Sequence, residues 1–134
     1  MEITKYIRNI NLIYNKKYDL RLYVLITGLK PLRIYFNRQG LVRIAAAEYS
    51  LNISSINNNF MHLTNTDINK HNKNYVYPKH ANDECANIWN ITTYQNYLNK
   101  NNTDWNSICN KIKDIIIKTI ISAHGELVNG LIKK

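Results

Sequence analysis

Hydrophobic and β-branched residues are concentrated in three short stretches in the first half of the chain. Residues 19–27 (DLRLYVLIT) form the first stretch, and Gly28 is predicted to end it. Residues 32–36 (LRIYF) form the second, and residues 41–47 (LVRIAAA) begin the third after a turn predicted over residues 37–40 (NRQG). Short β-rich runs separated by turn residues are typical of consecutive antiparallel strands. We therefore expect a meander of antiparallel strands here.

The last third of the chain has apolar residues at spacings of three and four, which is typical of helices with one buried face. A short helix is predicted to begin near Thr93 and to end within residues 96–100. A long helix is predicted from Asp104, with Thr103 as its N-cap. Its buried face is predicted to consist of Trp105, Ile108, Ile112, Ile115, Ile116, Ile120 and Ala123. Residues 47–90 are expected to be mostly loop, so the fold class is α+β.

Alternation along the first strand separates an apolar face from a charged one. The apolar face is predicted to meet the core and consists of Leu22, Val24 and Ile26. Lys17, Asp19 and Arg21 lie on one side of the extended chain. The carboxylate could accept ribose hydroxyls, and the guanidinium could hold phosphate oxygens at two points. A surface ladder of opposite charges produces the same pattern, so the residues alone leave both interpretations open.

The chain has 134 residues, 45% of them hydrophobic and 20% charged, and this composition indicates about one globular domain. Its formal net charge is +9, which attracts nucleic acid, anionic membranes or acidic peptides. The lysines and arginines are scattered, no RNA-recognition motif is visible, and no apolar run approaches the ~20 residues that span a bilayer. We therefore predict no nucleic-acid partner and no membrane partner. Cys85 and Cys109 fit no zinc or redox spacing and are interpreted as reduced cytosolic thiols.

Several segments resemble, in order, a known enzyme family. The run 17–27 (KYDLRLYVLIT) is followed by 31–36 (PLRIYF), 40–43 (GLVR), 60–65 (FMHLTN), 68–70 (INK) and 115–122 (IIIKTIIS). These segments are similar to the central motifs of the tubulin–tyrosine-ligase-like family, in the form associated with tubulin polyglutamylases. The resemblance covers nearly the whole chain, which is identified as a partial catalytic domain over residues 1–134.

The resemblance implies an ATP-grasp fold, incomplete in this chain, and an ATP-dependent ligase. Such enzymes use ATP and Mg²⁺ to phosphorylate a carboxylate, and an amine then attacks the acyl phosphate to form an amide or isopeptide bond. Catalysis of this kind depends on positioning and charge stabilisation. The implied partners are free glutamate and the acidic C-terminal tails of tubulin. The implied location is the cytoplasm and the microtubule cytoskeleton, with the axoneme or basal body as candidate sites.

The resemblance also assigns roles to individual positions. Lys17 and Asp19 match contacts to the nucleoside, and Thr64 and Asn65 match further nucleotide contacts. Arg21 and Arg43 match catalytic arginines near the terminal phosphate, and Arg43 also matches a contact to the substrate carboxylate. A hinge whose backbone holds the adenine edge is resembled by Lys5, Tyr6 and Ile7. His62 is interpreted as a hydrogen-bonded structural residue.

The sequence departs from the family at several positions. Thr4 replaces a glutamine before the hinge, residues 66–67 (TD) replace a Tyr-Ser pair, and Ile88 replaces a lysine before Trp89. The last two changes affect the expected substrate contacts. The family's magnesium ligands, an Asp and a Glu-x-Asn, correspond to positions beyond Lys134. We therefore predict no metal ligand within the chain and no ligase activity for the isolated chain, because a Mg-ATP site needs those ligands.

Two alternatives accompany the glutamate-ligase prediction. One is a tyrosine or glycine ligase of the same fold. The other is a non-catalytic remnant that binds nucleotide, or that binds microtubules electrostatically. Microtubule binding that needs no ATP and survives Arg43→Ala would favour the remnant.

Overall fold

The computed structural model describes residues 6–132. A three-stranded sheet with the order β1-β2-β3 consists of β1 (Tyr18–Leu29), β2 (Leu32–Ile44) and β3 (Ile88–Asn90). β2 and β3 are antiparallel, with Val42 opposite Trp89. β1 and β2 are joined by only Lys30-Pro31, a connection that requires an antiparallel hairpin. The predicted antiparallel strands are thus confirmed.

Two predicted strand boundaries are wrong. Gly28 does not end β1, because the strand continues to Leu29. A Cβ atom at Gly28 would lie 3.0 Å from the carbonyl oxygen of Pro31, so glycine permits a close backbone approach at the hairpin end. Residues 37–40 do not form a turn, because β2 runs unbroken through them and Gly40 is buried within the strand. The second and third predicted strands are therefore one.

The helices follow the β1–β2 hairpin in sequence and confirm the α+β class. Two four-residue helices, α1 (Asn59–His62) and α2 (Thr66–Asn69), interrupt the segment expected to be loop, after a 3-10 turn at Ile53–Ser55. α3 (Ile91–Lys100) and α4 (Trp105–Ile132) follow β3. Within residues 6–132, no helix is both long and apolar enough to cross a membrane.

The N-cap of α4 is Asp104 rather than Thr103. The carboxylate of Asp104 accepts hydrogen bonds from the backbone N–H groups of Asn106 and Ser107, each at 3.0 Å. A carboxylate also interacts favourably with the positive end of the helix dipole, which favours aspartate at this position. The predicted apolar face is confirmed as the more protected side except at Ile115, which is 63% exposed.

The chain divides into two compact units. Unit 1 comprises residues 6–21 and 41–93 of the described chain, and unit 2 comprises residues 22–40 and 94–132. The core of unit 1 is formed by Ile13, Val42, Ile44, Ala45, Ala46, Met61, Ala86, Trp89 and Ile91. In unit 2, Tyr94 and Leu98 are buried, and His124 Nε2 lies 2.8 Å from the backbone oxygen of Leu29, which attaches α4 to the hairpin.

The apolar face of β1 is only partly protected. Val24 and Ile26, predicted to meet the core, are 38% and 37% exposed, against 50% and 61% for Tyr23 and Leu25 on the opposite face. Alternation therefore identifies the less exposed face correctly. The prediction that this face is buried is wrong for the outer part of the hairpin.

Candidate functional site

Asp19 and Arg43, two residues singled out in the sequence, form an ion pair in unit 1. Arg43 Nε donates to Asp19 Oδ1 at 2.9 Å, and Arg43 Nη2 donates to Asp19 Oδ2. The side chain of Asp19 is 36% exposed, and that of Arg43 is 22% exposed. Two parallel hydrogen bonds fix the plane of a guanidinium as well as its position. Arg43 is further positioned by its place opposite Ile88 in the β2–β3 ladder.

Lys17 and Tyr6 form a second contact in the same unit. The Lys17 ammonium donates to the Tyr6 hydroxyl at 3.4 Å and lies 5.0 Å from the centroid of its ring. A cation over an aromatic face is attracted by the ring quadrupole. Lys17 is two residues from Asp19, so the segment that begins β1 contributes to both contacts. This contact between Lys17 and Tyr6 was not predicted from the sequence.

His62 extends this contact into a hydrogen-bonded chain. Its Nε2 lies 3.1 Å from the backbone oxygen of Ser55, and its Nδ1 lies 3.1 Å from the Tyr6 hydroxyl. A carbonyl oxygen only accepts, so Nε2 donates to Ser55, while Nδ1 shares a hydrogen bond with the Tyr6 hydroxyl. The expectation that His62 is a hydrogen-bonded structural residue is confirmed.

Tyr49 also packs against His62. The two rings meet edge to face with centroids 5.8 Å apart, a favourable geometry for aromatic side chains. Partial burial, together with the neighbouring Tyr6 hydroxyl, raises the pKa of Tyr49 above its ordinary value. Tyr49 therefore stays neutral, and its hydroxyl donates to the backbone oxygen of Arg8 at 3.2 Å.

A cavity of about 430 Å³ opens beside this cluster. Tyr6, Arg8 and His62 line it together with the exposed aliphatic residues Leu51, Ile53 and Ile56. Its volume lies within the range of small-molecule pockets, and an apolar lining with a few polar groups is typical of them. Sequence reasoning did not identify the contribution of residues 50–56, which carry no recognisable motif.

The Leu-Thr-Asn segment is held by its own helix caps. The Asn65 side chain accepts a hydrogen bond from the backbone N–H of Asp67 at 2.9 Å and so caps α2. Thr64, just before it, is half-buried. The amide oxygen of Asn65 thus has a structural partner, whereas its amide nitrogen has none among the described residues.

Asn69 is a structurally important residue for which no individual role was predicted. It is 1% exposed, and its side-chain oxygen accepts from the Ala46 backbone N–H at 2.7 Å. Its amide nitrogen donates to the backbone oxygens of Leu63 and Asn65 at 2.8 and 3.0 Å. One side chain therefore ties the end of β2 to the segment that carries Thr64.

The remaining predicted site residues are exposed or lie outside the described residues. Arg21 is exposed and has no hydrogen-bond or ion-pair partner among residues 6–132. Ile7 is 74% exposed, and Lys5 lies outside the described residues. In the described part of the chain, no group of three or more histidine, cysteine, aspartate or glutamate side chains could hold a metal ion.

Comparison with known proteins shows the family to which the chain is similar. Residues 3–131 match the model of the Tubulin-tyrosine ligase family. Tubulin monoglutamylase TTLL4 of Mus musculus is 42% identical over 132 residues, which are 96% of this chain and 11% of that protein. Tubulin polyglutamylase TTLL5 of Homo sapiens is 39% identical over 90% of this chain and 10% of its own length. Tubulin polyglutamylase TTLL13 of Mus musculus is 41% identical, with corresponding shares of 92% and 15%. The chain thus spans between a tenth and a seventh of these relatives.

Proposed function

The chain belongs to the tubulin-tyrosine ligase family, and from this premise we propose that residues 1–134 are part of the ATP-grasp catalytic domain of a tubulin–glutamate ligase. ATP, when bound, supplies the phosphoryl group that activates a carboxylate for attack by an amine. The residues described above bind and orient the reactants. The identity of 39–42% to proteins named monoglutamylase and polyglutamylase supports glutamate as the amino acid added, over tyrosine or glycine.

The Asp19–Arg43 pair carries this proposal. In unit 1 it joins a carboxylate and a guanidinium at the point where β1 begins and β2 ends, and Lys17 lies two residues from the carboxylate. Preorganised charges of this kind stabilise a transferring phosphoryl group without reorganising during the reaction. In our proposal Arg43 faces the terminal phosphate and the substrate carboxylate, and the exposed Arg21 joins it there.

The other positions serve the nucleoside. Lys17 and Asp19 contact the nucleoside, where the Asp19 carboxylate can accept the ribose hydroxyls, and the Tyr6–Ile7 backbone, preceded by Lys5, holds the base edge. Thr64 and Asn65 provide further polar contacts, the latter through its amide nitrogen. The described residues therefore fit a nucleotide. Among them, no group of three or more histidine, cysteine, aspartate or glutamate side chains could hold a metal ion, and no step is assigned to a metal.

The proposed protein substrate is tubulin, through its acidic C-terminal tails, with free glutamate as the second substrate. The formal net charge of +9 supports an acidic partner, since opposite charges accelerate encounter and strengthen weak binding. The corresponding location is the cytoplasm and its microtubule cytoskeleton.

Nucleotide binding by the 134-residue chain tests the proposal. A fluorescent ATP analogue is titrated into the wild type, Lys17→Gln and Arg21→Gln, with Lys16→Gln as the control for an identical charge change one residue from Lys17. We expect Lys17→Gln and Arg21→Gln to weaken ATP-analogue binding by roughly 1–2 kcal/mol, because each variant loses a charge-assisted contact. Lys16→Gln should stay within about 0.5 kcal/mol of the wild type. Equal weakening by all three variants would indicate only a diffuse attraction to the basic chain.

A further inference from the structure

A second cleft lies within unit 2, between β2, α3 and the first turns of α4. Its volume is about 470 Å³, and its apolar wall consists of the half-buried Phe36, Trp105 and Cys109. None of these residues belongs to the positions assigned to the nucleotide. The polar groups around this wall are Arg38, Gln95, Asn106 and Lys113. We call this feature the cationic cleft.

The wall of the cationic cleft is held in place. Tyr94 is 2% exposed and meets the Trp105 ring edge to face, with centroids 6.0 Å apart. The N-cap at Asp104 fixes the start of α4. Trp105, Cys109 and Lys113 follow at intervals of four residues, so they line one face of that helix. A rigid wall of this kind loses little conformational freedom when a ligand binds.

The two cations of the cleft form no salt bridge with any other residue in the described part of the chain. Among residues 6–132, neither Arg38 nor Lys113 has a salt bridge or a hydrogen-bond partner. Arg38 is supplied by β2 and Lys113 by α4, so the charges approach the cleft from two elements. Gln95 and Asn106 add amide groups that both donate and accept. Two unneutralised charges with amides beside them favour an anionic ligand that also presents groups for hydrogen bonding.

We propose that the cationic cleft binds the carboxylate side chains of an acidic polypeptide. Carboxylates match the guanidinium and the ammonium, and the amides can pair with the peptide backbone. The half-buried Trp105 and Phe36 can receive the methylene groups of glutamate side chains. A double-stranded nucleic acid would instead need cations along an extended stripe. This inference rests on the proposed function and deepens it, because it gives the acidic polypeptide substrate a site on this chain that is separate from the proposed nucleotide site.

The two cysteines provide a direct test. Cys109 lines the cationic cleft, whereas the exposed Cys85 does not. The full chain is treated with N-ethylmaleimide, and the modification rate of each cysteine is followed by peptide mass spectrometry. We expect saturating hexaglutamate to slow modification of Cys109 severalfold and to leave Cys85 unchanged, with no effect from hexaglutamine. Equal rates at Cys109 with and without hexaglutamate would overturn the proposal.

Charge-neutralising variants test which cations are responsible. Arg38→Gln and Lys113→Gln are compared with Arg33→Gln on the same strand and Lys111→Gln on the same helix, which change the net charge identically. We expect hexaglutamate to bind roughly three- to tenfold more weakly to the first two variants and almost unchanged to the other two. Equal losses in all four variants, or protection of Cys109 by a DNA duplex as strong as by hexaglutamate, would refute the assignment. Neither measurement uses ATP, so failure of the nucleotide proposal would leave both results interpretable.

Discussion

Arg43 binds both carboxylate oxygens of Asp19 through its Nε and Nη2 atoms. The pair joins the beginning of β1 to the end of β2 within unit 1. The sequence offered Asp19 as an acceptor for ribose hydroxyls and Arg43 as a contact for phosphate or carboxylate. Because the two side chains are partners, each one sets the position of the other. A ligand at this site therefore meets a preformed pair rather than two independent charges.

A double-mutant cycle with Asp19→Asn and Arg43→Gln should give a coupling energy of about 1–2 kcal/mol in urea unfolding. This value lies between those for exposed and buried ion pairs, since both side chains retain contact with water. The exposed Asp67–Lys70 pair provides a matched control, because its carboxylate is 82% exposed. Its coupling energy should be markedly smaller, because water screens an exposed ion pair. Similar couplings for the two pairs would contradict a special structural role for Arg43.

Substitutions at Asn65 should separate its capping role from its proposed nucleotide contact. Asn65→Asp keeps a good N-cap for α2, so the free energy of unfolding should change by less than about 0.5 kcal/mol. The same substitution removes the amide donor and adds a negative charge, so ATP binding should weaken about tenfold or more. Asn65→Ala should instead lower stability by about 1 kcal/mol. Unchanged ATP affinity in Asn65→Asp would leave this residue a structural role only.

The order of strands and helices could be predicted because hydrophobic periodicity is a local property. Residues 37–40 were wrongly predicted as a turn because Asn and Gly favour turns locally, whereas pairing with β1 keeps β2 extended through them. β3 was missed because Ile88–Asn90 is only three residues long, and it is defined by its partners Leu41, Val42 and Arg43 rather than by its own pattern. Strand pairing between distant segments is not visible in a local window.

The candidate site was predictable to the extent that its residues lie in motifs. Lys17, Asp19 and Arg43 were identified, and the structure brings the last two together. The Lys17–Tyr6 and Tyr6–His62 contacts could not be derived, because they join residues that are 11 and 56 positions apart in the chain. Asn69 was overlooked because asparagines are abundant in this chain. Only burial and hydrogen bonding distinguish it from the exposed ones.

Replacement of Asn69 should be among the more damaging single substitutions in unit 1. Asn69→Asp keeps the acceptor for Ala46 but loses the amide that donates to the backbone oxygens of Leu63 and Asn65. A buried carboxylate would then face two carbonyl oxygens, so the free energy of unfolding should fall by about 2–4 kcal/mol. Asn99→Asp, exposed on α3, provides the control for the added charge and should change stability by less than about 0.5 kcal/mol. Chemical denaturation at neutral pH measures both.

Asp83 should make stability depend on pH in the acidic range. It is largely buried, and the backbone N–H groups of Lys79 and Cys85 donate to its two carboxylate oxygens at 3.0 Å each. These two hydrogen bonds, in that order of effect, hold the pKa of Asp83 below its ordinary value. The folded state therefore binds this proton less readily than the unfolded state. The resulting stabilisation is complete above the unfolded pKa of about 3.9 and is lost as the pH falls through the lower, folded value.

Urea unfolding of the wild type and Asp83→Asn at pH 7 and at pH 2.5 tests this dependence. Asparagine retains only one of the two acceptor oxygens, so the variant should be less stable than the wild type at pH 7. The difference should narrow at pH 2.5, where protonation weakens the wild-type hydrogen bonds as well. Glu126→Gln, which removes an equal charge from an exposed position on α4, should change stability little at either pH. A difference between wild type and Asp83→Asn that is the same at both pH values would show that Asp83 stabilises the loop through its shape rather than through its charge.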